Sequence, residues 1–164
     1  MRKKIITIAG PPGSGKSTTA KKVAERLSYN HFSSGDLFRN VASEHGVDIL
    51  KINQIAETQE EIDYFVDEKL RTIGKTENNL VIDSRTAFHW IPDSYKVYLK
   101  LDPCIASERI FNQIQQDGRK SQDANTIEEV KLDIESRISS ELKRYKKLYD
   151  LDYTIEDHYD LVID

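Results

Sequence analysis

The stretch from Ile5 to Thr19, IITIAGPPGSGKSTT, constrains the fold more than any other part of the chain. Ile5, Ile6, Ile8 and Ala9 form an apolar run that reads as a strand buried in a parallel sheet. Gly10, Pro11, Pro12, Gly13, Ser14, Gly15, Lys16 and Ser17 follow at once and fit G-x-x-x-x-G-K-[ST], the pattern of a phosphate-binding loop. From Thr18 onward, Ala20, Val23, Ala24 and Leu27 recur at helical spacing. Gly10, Gly13 and Gly15 carry no Cβ, so the backbone can curl and point its N–H groups inward at phosphate oxygens. The positive end of the following helix adds to the hold on an anion. In such a loop Lys16 reaches the β and γ phosphates, and the Ser17 hydroxyl is a ligand for Mg²⁺. The expected nucleotide cradle is therefore Gly10 through Thr18. A glycine-proline turn that happens to precede a lysine is the bland alternative. The strand before it and the helix after it argue against that reading.

Length and composition set outer bounds. At 164 residues the chain suits one domain, residues 1–164, with a proper core. Charged residues make up 32% and hydrophobic ones 38%, which is a globular balance, and no apolar run approaches the ~20 residues of a membrane span. The start Met1-Arg2-Lys3-Lys4 precedes an apolar run of only about five residues, too short for a signal peptide. Cys104 stands alone, so an internal disulfide and a cysteine-based zinc cluster are excluded, and a reducing cytoplasm is expected. A net charge of −4 argues against a nucleic-acid surface, and a monomer with small-molecule partners is expected. Any phosphate must then be held by a local cluster of arginine and lysine.

The rest of the chain alternates strands with helices. Ser28 to Ser33 reads as a short second strand. Residues 34 to 74 carry stripes at helical spacing, among them Ile62, Phe65, Val66, Leu70 and Ile73, and no strand. Leu80 to Asp83 reads as a buried strand ending in a carboxylate, and Tyr95 to Leu101 as another strand. A helix from Pro103 to about Gln116 has Ile105, Ile110, Phe111 and Ile114 as its expected inner face. A polar run from Asp117 to Asn125 follows. Thr126 with Glu129 makes a capping box for a long helix to about Tyr149, and Tyr159 to Asp164 looks like a last strand. The pattern implies an α/β three-layer sandwich of the P-loop NTPase type, with a central parallel sheet, a helical insertion over 34–74 and a small lid over 115–126. Ligands belong at the carboxyl ends of such strands.

Asp83 stands where that fold keeps a carboxylate for Mg²⁺, and the alternative is a strand-end aspartate capping a turn. Arg39 and Arg85 follow strand ends, where an arginine can grip phosphate bidentately. Arg109, Arg119, Lys120, Arg137 and Arg144 form a later basic set, with Arg137 and Arg144 sharing a helix face. Each could instead pair on a helix surface with Glu108, Glu135 or Glu141. Asp63 and Asp67 also share a helix face, and are either solvated or turned toward a pocket. The four histidines show no metal spacing.

The combination resembles nucleoside monophosphate kinases. The residues that carry it are the loop Gly10 to Ser17, the run Ser33 to Arg39 (SSGDLFR), Asp83 to Arg85 (DSR), and an arginine-bearing lid and helix. It is similar most of all to archaeal-type cytidylate kinases. That family's pattern is matched by Glu61 to Asp67 (EIDYFVD), Ser84 to Trp90 (SRTAFHW), Arg144 to Asp152 (RYKKLYDLD) and Tyr159 to Ile163 (YDLVI). The resemblance implies transfer of the ATP γ-phosphoryl to CMP or dCMP with Mg²⁺. It implies that Ser34, Gly35, Asp36, Arg39 and Arg85 hold the acceptor phosphate and that Asp63 and Asp67 read its base. Arg137 and Arg144 would hold phosphates during transfer, with Lys16, and Arg109 or Arg119 would close from the lid. The chain departs from the family pattern at Asp83-Ser84, where Glu-Gly is usual, and at Leu70, where a polar residue is usual. The sequence stops at Asp164, before the loop and helix that the family pattern carries next. Three other readings compete, and one of them, a partner-binding or nucleic-acid protein with a degenerate phosphate loop, is opposed by the intact Lys16 and Ser17 and by the acidic balance. A regulatory GTPase would need Asn-Lys-x-Asp and Asp-x-x-Gly, which do not occur. A shikimate-type kinase tends to carry Asp-x-Asp where this chain has Ser33 to Asp36.

Overall fold

The computed structural model describes residues 4–117 and 126–164. Among the described residues, β1 (Ile5–Ala9), β2 (Asn30–Ser33), β3 (Leu80–Asp83), β4 (Tyr95–Leu99) and β5 (Leu161–Ile163) form one sheet in the order β2-β3-β1-β4-β5. Every neighbouring pair is parallel. The register places Ser33 and Ile8 on either side of Asp83, so β1, β2 and β3 finish level with one another. The loop after β1, the first residues after β2 and Asp83 at the end of β3 are thereby side by side.

The helices are α1 (Lys16–Leu27), α2 (Ser34–Glu44), α3 (Ile49–Ala56), α4 (Glu61–Thr76), α5 (Ala87–Trp90), α6 (Pro103–Asp117) and α7 (Ile127–Tyr149). Alternation along the strands divides the core between two faces. On one face Ile8, Val81, Val97 and Leu99 pack against Ala20 and Ala24 of α1. The small alanines let α1 lie close to the sheet. On the other face Ile5, Leu80 and Ile82 meet Leu70 and Ile73 of α4 with Ala87 and Ile91. Ala9 and Tyr98 meet Phe88, Leu151 and Tyr153 on that same side. Helices on both faces of a parallel sheet make the three layers that the alternating pattern implied.

Two smaller clusters sit beyond the sheet. Val41, Ala42, Ile52, Ala56 and Ile62 bind α2, α3 and the start of α4 together. Ala106, Val130 and Ile134 join α6 to α7, with Ile110, Phe111 and Ile114 against them. Polar side chains fix where these helices begin. Ser33, Asp48 and Thr126 each accept a hydrogen bond from the backbone N–H three residues on, which satisfies one of the free donors of a first turn. Thr126 thus makes the expected bond to Glu129 N, at 3.1 Å.

Several details correct the sequence reading. Helix α1 starts at Lys16, and β2 at Asn30. Helix α5 was not expected. Ser84 accepts from Thr86 N and Ala87 N, both at 3.2 Å, and so begins α5, a use for the serine that the family pattern does not carry. Phe65 was expected inside and is 55% exposed. The reason is that Asp63 and Asp67 lie on the buried arc of α4 beside Ile62, Val66, Leu70 and Ile73. Those carboxylates shift the arc's centre away from Phe65. Leu27 and Ile105 are likewise exposed. The lid expected over 115–126 falls mostly on residues 118–125, which lie outside the described residues, as do Arg119 and Lys120.

Leu70 is fully buried between α4 and the sheet. Leu70→Ala should cost about 2–5 kcal/mol, read as a lower urea midpoint at unchanged slope.

Candidate active site

The loop after β1 turns sharply at its first glycine. Gly10 has φ 150°, and a Cβ there would fall 2.4 Å from Leu99 O, so no other residue fits. Gly15, with φ 80°, hands the chain into α1. Lys16 folds back over the loop and donates from Nζ to Pro11 O at 2.8 Å. Burial, and then the nearby charges of Arg85 and Arg137, hold the Lys16 ammonium well below its ordinary proton affinity; Glu141 and Asp83 act the other way. Cations from the β1–α1 loop, from the turn after β3 and from α7 therefore converge at one end of the sheet. Arg137 is pushed down for the same reasons, first burial and then Arg85. Like charges gathered in this way make a site for an anion.

Asp83 closes β3, and only 3% of it is exposed. Its Oδ1 accepts from Ser17 Oγ at 3.0 Å and from Ser33 Oγ at 2.9 Å. Its Oδ2 is 2.6 Å from His31 Nε2. The two residues expected to serve Mg²⁺, Ser17 and Asp83, are thus in direct contact. His31 was not singled out in the sequence, and no motif marks it; only the register of β2 against β3 puts it there. Among the described residues no three His, Cys, Asp or Glu side chains group as a metal site.

Next to the turn after β3, at Ser84 to Thr86, lies a narrow cavity of about 30 Å³. Ser34, Gly35 and Phe38 of α2 wall it on one side, Asp63 and Asp67 of α4 on another, and Arg85 with Arg137, Glu141 and Arg144 of α7 on a third. It has room for a water or two and no more. Glu141 lies at the centre of the arginines and is 3% exposed. Arg85 Nε approaches its Oε2 to 2.6 Å, an ion pair without the alignment of a hydrogen bond. Arg137 Nε donates to Oε1 at 3.1 Å. Burial alone would raise this carboxyl, but Arg85, Arg137, Arg144 and Lys16 together hold it below the usual carboxylate range. The arginines do pair with glutamate, as the bland alternative had it, but in the interior and not on a helix surface.

Arg144 is tied as fully. It donates from Nε to Asp63 Oδ2 at 2.7 Å, and from Nη1 to Asn53 Oδ1 at 3.0 Å and Ser140 Oγ at 2.9 Å. Asp67 accepts from Thr86 Oγ1 at 2.9 Å and from the Tyr149 hydroxyl. Burial raises both carboxyls, against the opposing pull of Arg144 on Asp63 and of Tyr149 and Thr86 on Asp67. Asp63 and Asp67 are therefore turned inward, and their burial settles the choice left open by spacing. Arg39 is exposed at the rim, where it pairs with Asp36 one turn earlier. A Cβ on Gly35 would lie 3.6 Å from Arg39 Nη1, so the guanidinium lies beside Gly35 of the cavity wall. Arg109 is exposed on α6, because Ala106 and Ile110 take the inward positions, and the structure does not bring it to the cavity. Glu141, Thr86, Tyr149, Tyr153 and Asn53 were missed as site residues. One signal was available: Glu141 sits four residues after Arg137 and three before Arg144, on the face those arginines share.

A family model described as AAA domain matches residues 9–131. The cytidylate kinase of Haloarcula marismortui is 36% identical over 162 residues, covering 97% of this chain and 79% of the relative. That of Methanothrix thermoacetophila is 35% identical over 160 residues, covering 98% and 87%. The chain belongs to the cytidylate kinase family. It is accordingly an enzyme of the P-loop kinase class. A shikimate kinase from Bacteroides thetaiotaomicron shares the fold with a TM-score of 0.60 at 14% identity, over 97% of this chain and 85% of that one. At that identity the likeness speaks for the fold alone. No described helix is long and apolar enough to cross a membrane.

The buried pair Asp63–Arg144 offers a direct test. Asp63→Leu alone should cost about 3–5 kcal/mol, because it strands the Arg144 charge in the interior. The double change Asp63→Leu with Arg144→Leu should recover most of that loss in urea unfolding.

Proposed function

We propose that the protein transfers the γ-phosphoryl group of ATP to CMP or dCMP. The observation that carries this reading is the convergence of Lys16, Arg85 and Arg137 beside a cavity holding two buried carboxylates, Asp63 and Asp67. Phosphoryl transfer asks a protein chiefly for position and for positive charge around the moving group. Gly10 through Thr18 would hold the donor phosphates, with Lys16 on the outer ones. Arg85 and Arg137 would flank the group in transit. Arg39, with Ser34, Gly35 and Asp36, would meet the acceptor's phosphate at the rim. Ser17 and Asp83 offer a hydroxyl and a carboxylate, hard oxygens that suit Mg²⁺ held mainly by phosphate and water. Bound there with ATP, Mg²⁺ would neutralise charge on the β and γ phosphates.

The carboxylates support a pyrimidine with an amine. Cytosine presents an exocyclic N–H donor where uracil presents a carbonyl. Asp67 already accepts from Thr86 and Tyr149, but an ionised carboxylate has about four acceptor positions, so it can take an amine as well. Uracil there would set two acceptors face to face, buried and unpaired.

A coupled assay with ATP and a panel of monophosphates tests the reading. CMP and dCMP should be used well, UMP poorly, and AMP and GMP least. Equal use of AMP and CMP would overturn the cytidylate reading and leave the kinase class intact. Lys16→Ala should lower kcat by about a hundredfold to a thousandfold, by analogy with a lost oxyanion donor. It should not destabilise the unliganded protein, since Arg85 and Arg137 repel this ammonium.

Acid should reveal the acceptor carboxylates. Their folded proton affinities are raised, so they protonate at a less acid pH than an exposed aspartate near 4. The ionised form is the stronger acceptor for the amine, and protonation turns one of its oxygens into a donor. KM for CMP should therefore climb as pH falls toward that raised range, while KM for ATP holds steady.

A further inference from the structure

We propose that Glu141 is the positioning residue of the transfer centre: a single carboxylate that sets the directions in which Arg85 and Arg137 offer their guanidinium groups to phosphate. The proposal rests on the phosphoryl-transfer reading above. Arg85 comes from the turn after β3 and Arg137 from α7, and Glu141 is the partner they share. One carboxylate oxygen meets each arginine: Oε2 lies 2.6 Å from Arg85 Nε, and Oε1 lies 3.1 Å from Arg137 Nε. Both arginines turn the Nε side to Glu141. A guanidinium held at its Nε keeps two terminal amino groups as a fork that matches phosphate oxygens. Two guanidiniums this close repel, and a carboxylate between them fixes both their separation and their aim. Glu141 itself is no ligand for phosphate, since like charges would meet.

Glu141 is in turn held from behind. The Tyr153 hydroxyl donates to Oε2 at 3.3 Å, and the Tyr153 ring lies 5.9 Å from the Arg85 guanidinium. Tyr153 is fully buried. The Tyr159 hydroxyl donates to Tyr153 O at 2.6 Å, and the Tyr145 ring meets Tyr153 edge-on at 6.2 Å. Tyr145, Tyr153 and Tyr159, which the substrate reading leaves without a role, become the wall that keeps the carboxylate in place. A buried ion pair is a poor way to gain stability alone, and apolar packing would serve that end as well.

The test is Glu141→Gln, which keeps the shape and removes the charge. On whichever acceptor the wild type phosphorylates, kcat should fall by about thirtyfold or more while KM for both substrates stays within about threefold. Inorganic tripolyphosphate should bind as tightly as to the wild type or more tightly, because the site gains net positive charge while losing its aim. Arg85→Lys and Arg137→Lys should each slow the wild type strongly and add little in the Glu141→Gln background, since all act through one arrangement. Tyr153→Phe loses only the hydroxyl and should lower kcat by about threefold to tenfold at unchanged KM, which keeps the test open if Glu141→Gln does not fold. Wild-type kcat in both variants, a loss carried by KM, fully additive arginine effects or weaker tripolyphosphate binding in Glu141→Gln would each overturn the proposal. A wild type that phosphorylates no monophosphate overturns the function reading instead, and the tripolyphosphate titration still judges Glu141.

Discussion

The structure turns on how a cluster of like charges is kept at one end of a sheet. Burial and the charge of Arg85 lower the hold on protons of both Lys16 and Arg137, and Arg137 adds to the effect on Lys16. In a buried place such repulsion would cost several kcal/mol without nearby counter-charge. Glu141 and Asp83 supply it from opposite sides, the one from α7 and the other from the end of β3. Neither removes the excess. What is left is a fixed positive field with no reorganisation still to be done, the condition under which transferring phosphoryl groups are stabilised best. The parallel register is what makes this affordable, since it ends β1, β2 and β3 at one level.

Helix α7 joins this field to the helices α2–α4. Along its length it carries Arg137 and Glu141 toward the phosphate loop, and Ser140, Lys143, Arg144 and Lys147 toward α3 and α4. The contacts differ in weight. Lys143 with Glu57 at 2.8 Å and Lys147 with Glu60 at 2.7 Å are exposed pairs, screened by water and of little weight. Arg144 with Asp63 is buried and also satisfied by Asn53 and Ser140, so breaking it is costly. One helix thus meets both the charge cluster beside the phosphate loop and the helices α3 and α4.

Much of this was legible in the sequence, for reasons that differ by residue. The loop from Gly10 to Ser17 is local, and its glycines and lysine are dictated by the chemistry at each position. The strands at Leu80–Asp83 and Tyr95–Leu99 announced themselves by continuous or alternating apolar residues. Phe65 misled, because the centre of α4's buried arc is set by Asp63 and Asp67, and apolar spacing cannot see buried carboxylates. His31, Asn53 and Thr86 were out of reach for another reason. Each acquires its partner from a segment distant in the chain, Asp83, Arg144 and Asp67 respectively. Glu141 was the nearest miss, since its place between two arginines of one helix face is visible, though its burial is not.

The size of the cavity places a condition on how the acceptor side works. At about 30 Å³ the cavity is smaller than a base, so under the proposed function its walls on α2 and α4 would draw away from α7 to receive one. The packing shows which parts are free to do so. Val41, Ala42, Ile52, Ala56 and Ile62 hold α2, α3 and the first turn of α4 as a small unit with its own apolar cluster. Leu70 and Ile73 pin the far end of α4 to the sheet. Between these two anchors lies the stretch of α4 that carries Asp63 and Asp67. The exposed lysine pairs resist the parting of the walls weakly, and the Arg144–Asp63 pair resists it strongly. A ligand able to enter is one that compensates that pair, offering a hydrogen-bond donor to the carboxylate and an acceptor to the guanidinium. On the proposed function, the interaction that ties α4 to α7 beside the cavity would thereby favour, by chemistry, one kind of ligand.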